Sequence, residues 1–286
     1  DAWFDRGSFR AFLPSLREVI RNNAQQTVPD VAIYNRIALF AWEDDRGGIR
    51  TSVVDLENNV YLTSDVELHA TATNPRVMKI GISLFVFYAD GTNFRGQQLN
   101  ITTLAFAGAF TIGTNLNSSK LFALAEHGTE ACFVYSMSSS NDISVGYILE
   151  SGVVGNPLNG LPSPVTINAE TPTECLDIIG NSDNSKYYIS YFKSGTGLRT
   201  LSRLEDLGAD IAVVTTDGTS SPVVNVVTQV FDSDGDLNLY YEMNDSNTYE
   251  RFVKTNKITI SDSSVGTASV VKRSVGLASK AWIEDG

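Results

Sequence analysis

Hydrophobic residues recur at three- and four-residue steps in one stretch only, where Phe9, Phe12, Leu13, Leu16, Val19 and Ile20 would share one face of a helix. The spacing predicts a short amphipathic helix ending near Asn23. Pro14 followed by Ser15-Leu16-Arg17-Glu18 supplies a capping box, in which the Ser hydroxyl and the Glu carboxylate satisfy N–H groups of the first turn. Beyond Pro29 the pattern changes to short runs of Val, Ile, Thr, Phe and Tyr broken by Gly, Asn, Asp and Ser, which predicts strands joined by tight turns.

These strands repeat. A bulky apolar residue, any residue and an aromatic recur as Phe40-Ala41-Trp42, Phe85-Val86-Phe87, Phe133-Val134-Tyr135, Ile189-Ser190-Tyr191 and Leu239-Tyr240-Tyr241, the aromatics standing 45, 48, 56 and 50 residues apart. Each copy follows another strand and precedes a third. A unit of about 45–50 residues with about four short strands is the size of a propeller blade, and half of what a sandwich domain needs. A small twisted sheet cannot bury its two apolar faces alone, so Trp42, Phe87, Tyr135, Tyr191 and Tyr241 are expected to pack between blades. The expectation is an all-β, β-propeller-like fold of about five to six four-stranded blades plus a short N-terminal helix. Residues 1–28 would form the helical segment and linker, and residues 29–286 the propeller-like domain. Residues 276–286 read as the opening of a sixth unit, truncated in its last blade.

Composition narrows the chemistry. Of 286 residues, 33 are Asp or Glu and 21 Lys or Arg, a formal charge of −12 that leaves too few cations to neutralise a phosphate backbone. Sequence-specific nucleic-acid binding is not expected. No apolar run approaches the roughly 18 residues of a membrane span, so no membrane anchor is expected. Two cysteines, Cys132 and Cys175, and two histidines, His69 and His127, make neither a disulfide scaffold nor a zinc site, and the histidines sit in ordinary turn or strand-end contexts.

Asp232-Ser233-Asp234-Gly235-Asp236-Leu237-Asn238 is the sharpest local motif. Oxygen-bearing side chains at alternate positions around a Gly could converge on calcium, with Asp232, Asp234, Asp236 and Asn238 as ligands. The plainer reading is a solvated turn, because Asp and Gly are ordinary turn formers. Leu237 and Met243 occupy positions where a helix–loop–helix calcium site wants Gly and Glu. No other cofactor is expected. No Gly-x-Ser-x-Gly elbow marks a nucleophile, and catalytic residues are not expected. Residues 152–164, rich in Gly, Pro and Asn, are expected to form an exposed inter-blade loop that either meets partners or merely connects.

Three stretches carry a resemblance: Asn74-Pro75-Arg76-Val77, Leu84-Phe85-Val86-Phe87-Tyr88-Ala89-Asp90-Gly91 and Arg273-Ser274-Val275-Gly276-Leu277-Ala278-Ser279-Lys280-Ala281. Through them, residues 29–286 resemble the β-propeller portion of the tail nozzle or tail tubular proteins of short-tailed bacteriophages. The resemblance implies a structural virion protein, not an enzyme, present as copies of itself in a ring. Its partners would be adaptor and fibre proteins of the phage tail, with DNA passing transiently during ejection. An acidic lining would let DNA slide rather than bind. The chain is much shorter than a complete nozzle protein. The competing expectation is an extracellular carbohydrate-binding or glycoside-cleaving β-propeller, which would need an acidic and aromatic pocket.

Overall fold

The computed structural model describes residues 26–117, 122–127, 129–138, 142–155, 165–167, 175–181, 186–193, 196–204, 210–217, 223–244, 251–259, 264–266 and 269–274. The expected N-terminal helix and the opening of a sixth unit lie outside them.

All described regular structure is β, in five antiparallel sheets that follow one another along the chain. Sheet 1 holds β1 (Gln26–Tyr34), β2 (Ile37–Asp44), β3 (Ile49–Asp55) and β4 (Val60–His69). Sheet 2 holds β5 (Thr73–Ile80), β6 (Ser83–Asp90), β7 (Asn93–Asn100), β8 (Ala105–Phe106) and β9 (Phe110–Gly113). Sheet 3 holds β10 (Phe122–His127), β11 (Glu130–Ser136), β12 (Ile143–Leu149), β13 (Val154–Gly155) and β14 (Val165–Ile167). Sheet 4 holds β15 (Leu176–Asn181), β16 (Lys186–Lys193), β17 (Gly197–Leu204) and β18 (Asp210–Asp217). Sheet 5 holds β19 (Val223–Phe231), β20 (Leu237–Asn244), β21 (Arg251–Thr259), β22 (Ser264–Val265) and β23 (Ser269–Ser274). Each sheet is an up-and-down meander with four strand positions, so the chain has the all-β, β-propeller-like fold.

In sheets 2, 3 and 5 the fourth position is split between two short strands, both paired to the third. This corrects the expectation for residues 152–164. The segments flanking 156–164 both pair with β12, so the insertion interrupts the last strand of sheet 3 instead of joining two blades. Residues 156–164 themselves lie outside the described residues.

The chain divides into two compact units, Asp1–Thr114 with Glu150–Gly152, and Asn115–Leu149 with Val153–Gly286. In the first unit the core lies between sheets 1 and 2, with Leu39, Ala41, Ile49 and Val53 meeting Val77, Leu84, Val86 and Tyr88. In the second, one core joins Cys132, Val134, Val145 and Tyr147 to Ile178, Tyr187, Ile189 and Tyr191. Another joins Tyr188, Phe192 and Leu198 to Leu237, Leu239, Tyr241 and Ile258. Strands β6 and β11, second in their meanders, are covered on both faces, which is why Leu84 to Ala89 forms an unbroken apolar run. Strand β4 has one neighbour, and its exposure alternates residue by residue along Val60 to Val66.

All five repeated aromatics are buried: Trp42, Phe87, Tyr135, Tyr191 and Tyr241. The second copy is nevertheless displaced by one residue. Phe87 turns away from the core between sheets 1 and 2 and stacks on Phe85, with ring centroids 5.8 Å apart. Tyr88 takes the inter-sheet place. Its counterpart is Tyr241, because both hydroxyls donate to a side-chain amide on the third strand, Tyr88 to Gln97 Oε1 at 2.8 Å and Tyr241 to Asn256 Oδ1 at 2.7 Å. Those amides donate onward to Ala107 and Gly266 carbonyls, which follow the short strands β8 and β22. A buried phenol needs a hydrogen-bond partner, and two sheets meet that need in the same way. Burial pushes the Tyr88 hydroxyl up to about 12.

Candidate functional site

The acidic turn between β19 and β20 is closed by its own chain. Asp232 Oδ1 accepts the backbone N–H groups of Asp234 and Asp236, both at 3.0 Å, and Gly235 adopts φ 80°, a conformation that suits glycine. The ammonium of Lys257 on β21 lies 2.9 Å from Asp232, 3.0 Å from Asp236 and 3.9 Å from Asp234. Asn238 Nδ2 faces Asp232 Oδ2 at 3.4 Å. A protein cation therefore stands where the sequence motif would place calcium, and no group of three or more metal-ligating side chains occurs among the described residues. Lys257 titrates above its ordinary range because Asp232 and then Asp236 hydrogen-bond to its ammonium. Asp232 is held below the usual carboxylate range, chiefly by Lys257. We expect millimolar calcium to leave the melting temperature of the wild-type chain unchanged. A calcium-dependent rise read by differential scanning fluorimetry would show that the ion displaces Lys257.

A denser arrangement occupies one end of sheets 1 and 2. The turn after β2 folds Arg46 back onto Asp44, whose carboxylate is fully covered and accepts Arg46 Nε and Nη2, both at 2.6 Å. The indole Nε1 of Trp42 lies 3.4 Å from Asp44 Oδ2. Arg46 also donates to Asp65 on β4, and Arg50 on β3 donates to the same carboxylate at 2.6 Å and to the Asp65 carbonyl at 2.7 Å. Asp65 carries φ 52°, in a stretch where three register shifts bend β4 against β3. The guanidinium of Arg46 holds Asp44 well below the usual carboxylate range, against the opposing effect of burial.

Beside this network, His69 at the end of β4 and Asp90 at the end of β6 face one another, Nε2 lying 3.7 Å from Oδ2. His69 Nδ1 accepts the N–H of Thr71 at 3.3 Å, so in the neutral ring the proton sits on Nε2 and points toward Asp90. From the other side, Arg95 Nε on β7 approaches Asp90 Oδ2 to 3.1 Å, yet it is off the line of a hydrogen bond and has no acceptor. The Tyr88 ring packs against His69, with centroids 5.4 Å apart. Asp90 is thus a partly open acceptor between two donors, neither of which engages it in a well-aligned bond.

Sequence reading did not bring these residues together. His69 was expected at an ordinary strand end, and Asp90 belonged to a polar turn. They stand 21 positions apart, and only the packing of sheet 1 on sheet 2 makes them neighbours. The side chain of His127 lies outside the described residues. Cys132 and Cys175 are buried thiols not joined in a disulfide, and Cys132 Sγ donates to the Ala125 carbonyl at 3.5 Å.

Solved structures share the fold at low sequence identity. A Dyadobacter fermentans protein of unknown function matches with a TM-score of 0.56 at 7% identity, over 88% of this chain and 84% of its own. Hydrazine synthase of Kuenenia stuttgartiensis matches with a TM-score of 0.53 at 11% identity, over 79% of this chain and 64% of that one, so this chain spans less than two thirds of it. The catalytic domain of a Coprinopsis cinerea GH62 α-L-arabinofuranosidase matches with a TM-score of 0.46 at 12% identity, over 80% and 87% respectively. No protein-family model matches the chain, and no curated protein does.

These neighbours correct the functional expectation. None of the neighbours named above is a phage-tail protein, and the readings of a phage-tail structural protein, of a virion location and of a chain that is not an enzyme are set aside. The physical reason is visible in the motifs that carried the resemblance. Leu84 to Asp90 is a central strand buried on both faces, followed by its turn, and any blade needs one. Such motifs report architecture and not role.

Proposed function

We propose that this chain is an extracellular carbohydrate-binding β-propeller whose glycan contacts centre on His69, Asp90 and Arg95. The observation that carries the reading is the partly exposed Asp90 carboxylate between two N–H donors that it does not satisfy. Sugar hydroxyls are donors and acceptors at once, and a carboxylate flanked by imidazole and guanidinium N–H groups can meet both functions. The Tyr88 ring behind His69 fixes the imidazole from one side. Glycoside cleavage, the activity named for several hydrolases of this architecture, would need a second carboxylate across the bond and is measured alongside binding.

The test is a glycan array followed by calorimetry on the full chain, with reducing-sugar release assayed on every glycan that binds. We expect Asp90→Asn and Arg95→Gln each to weaken binding at least tenfold, with unfolding midpoints close to wild type. Absence of binding across neutral and acidic glycans, or wild-type affinity in both variants, overturns the reading.

A further inference from the structure

Two carboxylates at equivalent positions connect sheets that share no strand ladder. Asp30 on β1 stands opposite Ala41, one residue before Trp42, and Asp177 on β15 stands opposite Ser190, one residue before Tyr191. The N–H of Val77 on β5 donates to Asp30 Oδ2 at 2.9 Å, and the N–H of Gln229 on β19 donates to Asp177 Oδ2 at 3.1 Å. The two acceptors and the two donors correspond as well: Val77 follows Arg76, which faces Phe87, and Gln229 follows Thr228, which faces Tyr240. Both bonds therefore run from the first strand of one sheet to the same register position on the first strand of the next.

We infer that Asp30 and Asp177 are inter-blade latches, each fixing how the first strand of its sheet meets that of the following one. First strands have a single ladder neighbour, so alternate N–H groups on β5 and β19 face away from their own sheet. Packed against another sheet, such a group loses water and must find an acceptor. Apolar contacts alone would hold the two sheets together without fixing their sliding register. The carboxylate supplies direction and accepts at one position only.

Supporting contacts stiffen each latch. Asp30 Oδ1 accepts the N–H of Val31 at 3.0 Å, which orients the carboxylate. A second carboxylate in the first unit, Glu43, accepts the N–H of Asn74, also between sheets 1 and 2. In the second unit, Gln229 Nε2 donates to the Tyr188 carbonyl of sheet 4 at 3.2 Å. The corresponding positions on the other first strands are Arg76, Ala123 and Thr228, so the carboxylate is not a requirement of the strand itself.

Residue-resolved amide hydrogen exchange on the full chain tests the inference. In Asp30→Ala, exchange at Val77 should accelerate at least tenfold while Gln229 is unchanged, and Asp177→Ala should do the reverse. Asp30→Asn, which keeps a carbonyl oxygen in place, should protect Val77 nearly as well as wild type. Unchanged exchange at Val77 in Asp30→Ala, or equal acceleration at both amides in either variant, would overturn it. Should Asp30→Ala not fold, Asp30→Ser, too short to reach Val77, is read against Asp30→Asn with the same criteria.

Discussion

Gly48→Ala should destabilise the chain by about 3–5 kcal/mol, among the largest losses a single methyl can cause. Gly48 holds φ 75°, where an L side chain is strained, and a Cβ there would lie 1.9 Å from the His69 carbonyl oxygen and 2.5 Å from the Ala70 carbonyl carbon. Those obstacles are backbone atoms at the end of β4, so relief requires the strand end to move. Neighbouring Gly47 provides the control. Its φ is 101°, and the nearest atom to an added Cβ is the Ala70 oxygen at 3.4 Å, so Gly47→Ala carries conformational strain without a collision and should cost about 1 kcal/mol. Urea unfolding of both variants measures the difference. A Gly48→Ala loss no larger than that of Gly47→Ala would show that the close approach of the turn to β4 is absent. Because the displaced segment carries His69, any glycan affinity should fall together with stability in Gly48→Ala and persist in Gly47→Ala.

Asp44→Ala is the second large effect, expected at about 2–3 kcal/mol by the same measurement. Removing one member of a covered ion pair leaves the other without compensation, a loss of about 3–5 kcal/mol when both are buried. Arg46 is 37% exposed, so water screens part of that loss. Asp44→Asn should lose less, since its amide oxygen still accepts one bond from Arg46. The acid dependence has a definite sign. A folded carboxyl held below its ordinary value stabilises the fold fully above the unfolded titration, and that contribution is lost as pH falls through the depressed folded value. The gap between wild type and Asp44→Ala should therefore stay constant from neutral pH down to about 4, and narrow only below it. A gap that closes above pH 5 would place the stabilisation in other groups.

Several of these features could be read directly from the chain. The change to short β-branched and aromatic runs beyond Pro29 marked the strands, and the recurrence of Trp42, Phe87, Tyr135, Tyr191 and Tyr241 marked one unit for each of the five described sheets. The slip at Phe87 shows the limit of that method. Phe87 and Tyr88 are both aromatic and both buried, so no local pattern distinguishes the one that faces sheet 1; the Tyr88 hydroxyl bond to Gln97 does. Split fourth strands were equally silent, because two- to four-residue pieces such as β8, β9 and β13 are too short to show a period.

The chemistry was less legible than the fold. Asp232, Asp234 and Asp236 are adjacent in sequence and looked like one half of an ion site, while the cation beside them comes from Lys257, on the far side of a hairpin. The Asp44, Arg46, Arg50 and Asp65 network joins a turn to a bent outer strand 19 residues away.

By itself the sequence determined that the chain beyond Pro29 is built of short strands in blade-sized units and that the repeated aromatics leave water, since both follow from local periodicity and the cost of exposing apolar surface. Tertiary structure alone decided which sheet faces which, where carboxylates bridge neighbouring strands, and that His69, Asp90 and Arg95 converge. Those outcomes depend on hydrogen-bond directions and on the stacking register of separate sheets, which are properties of pairs of segments and leave no trace in either segment on its own.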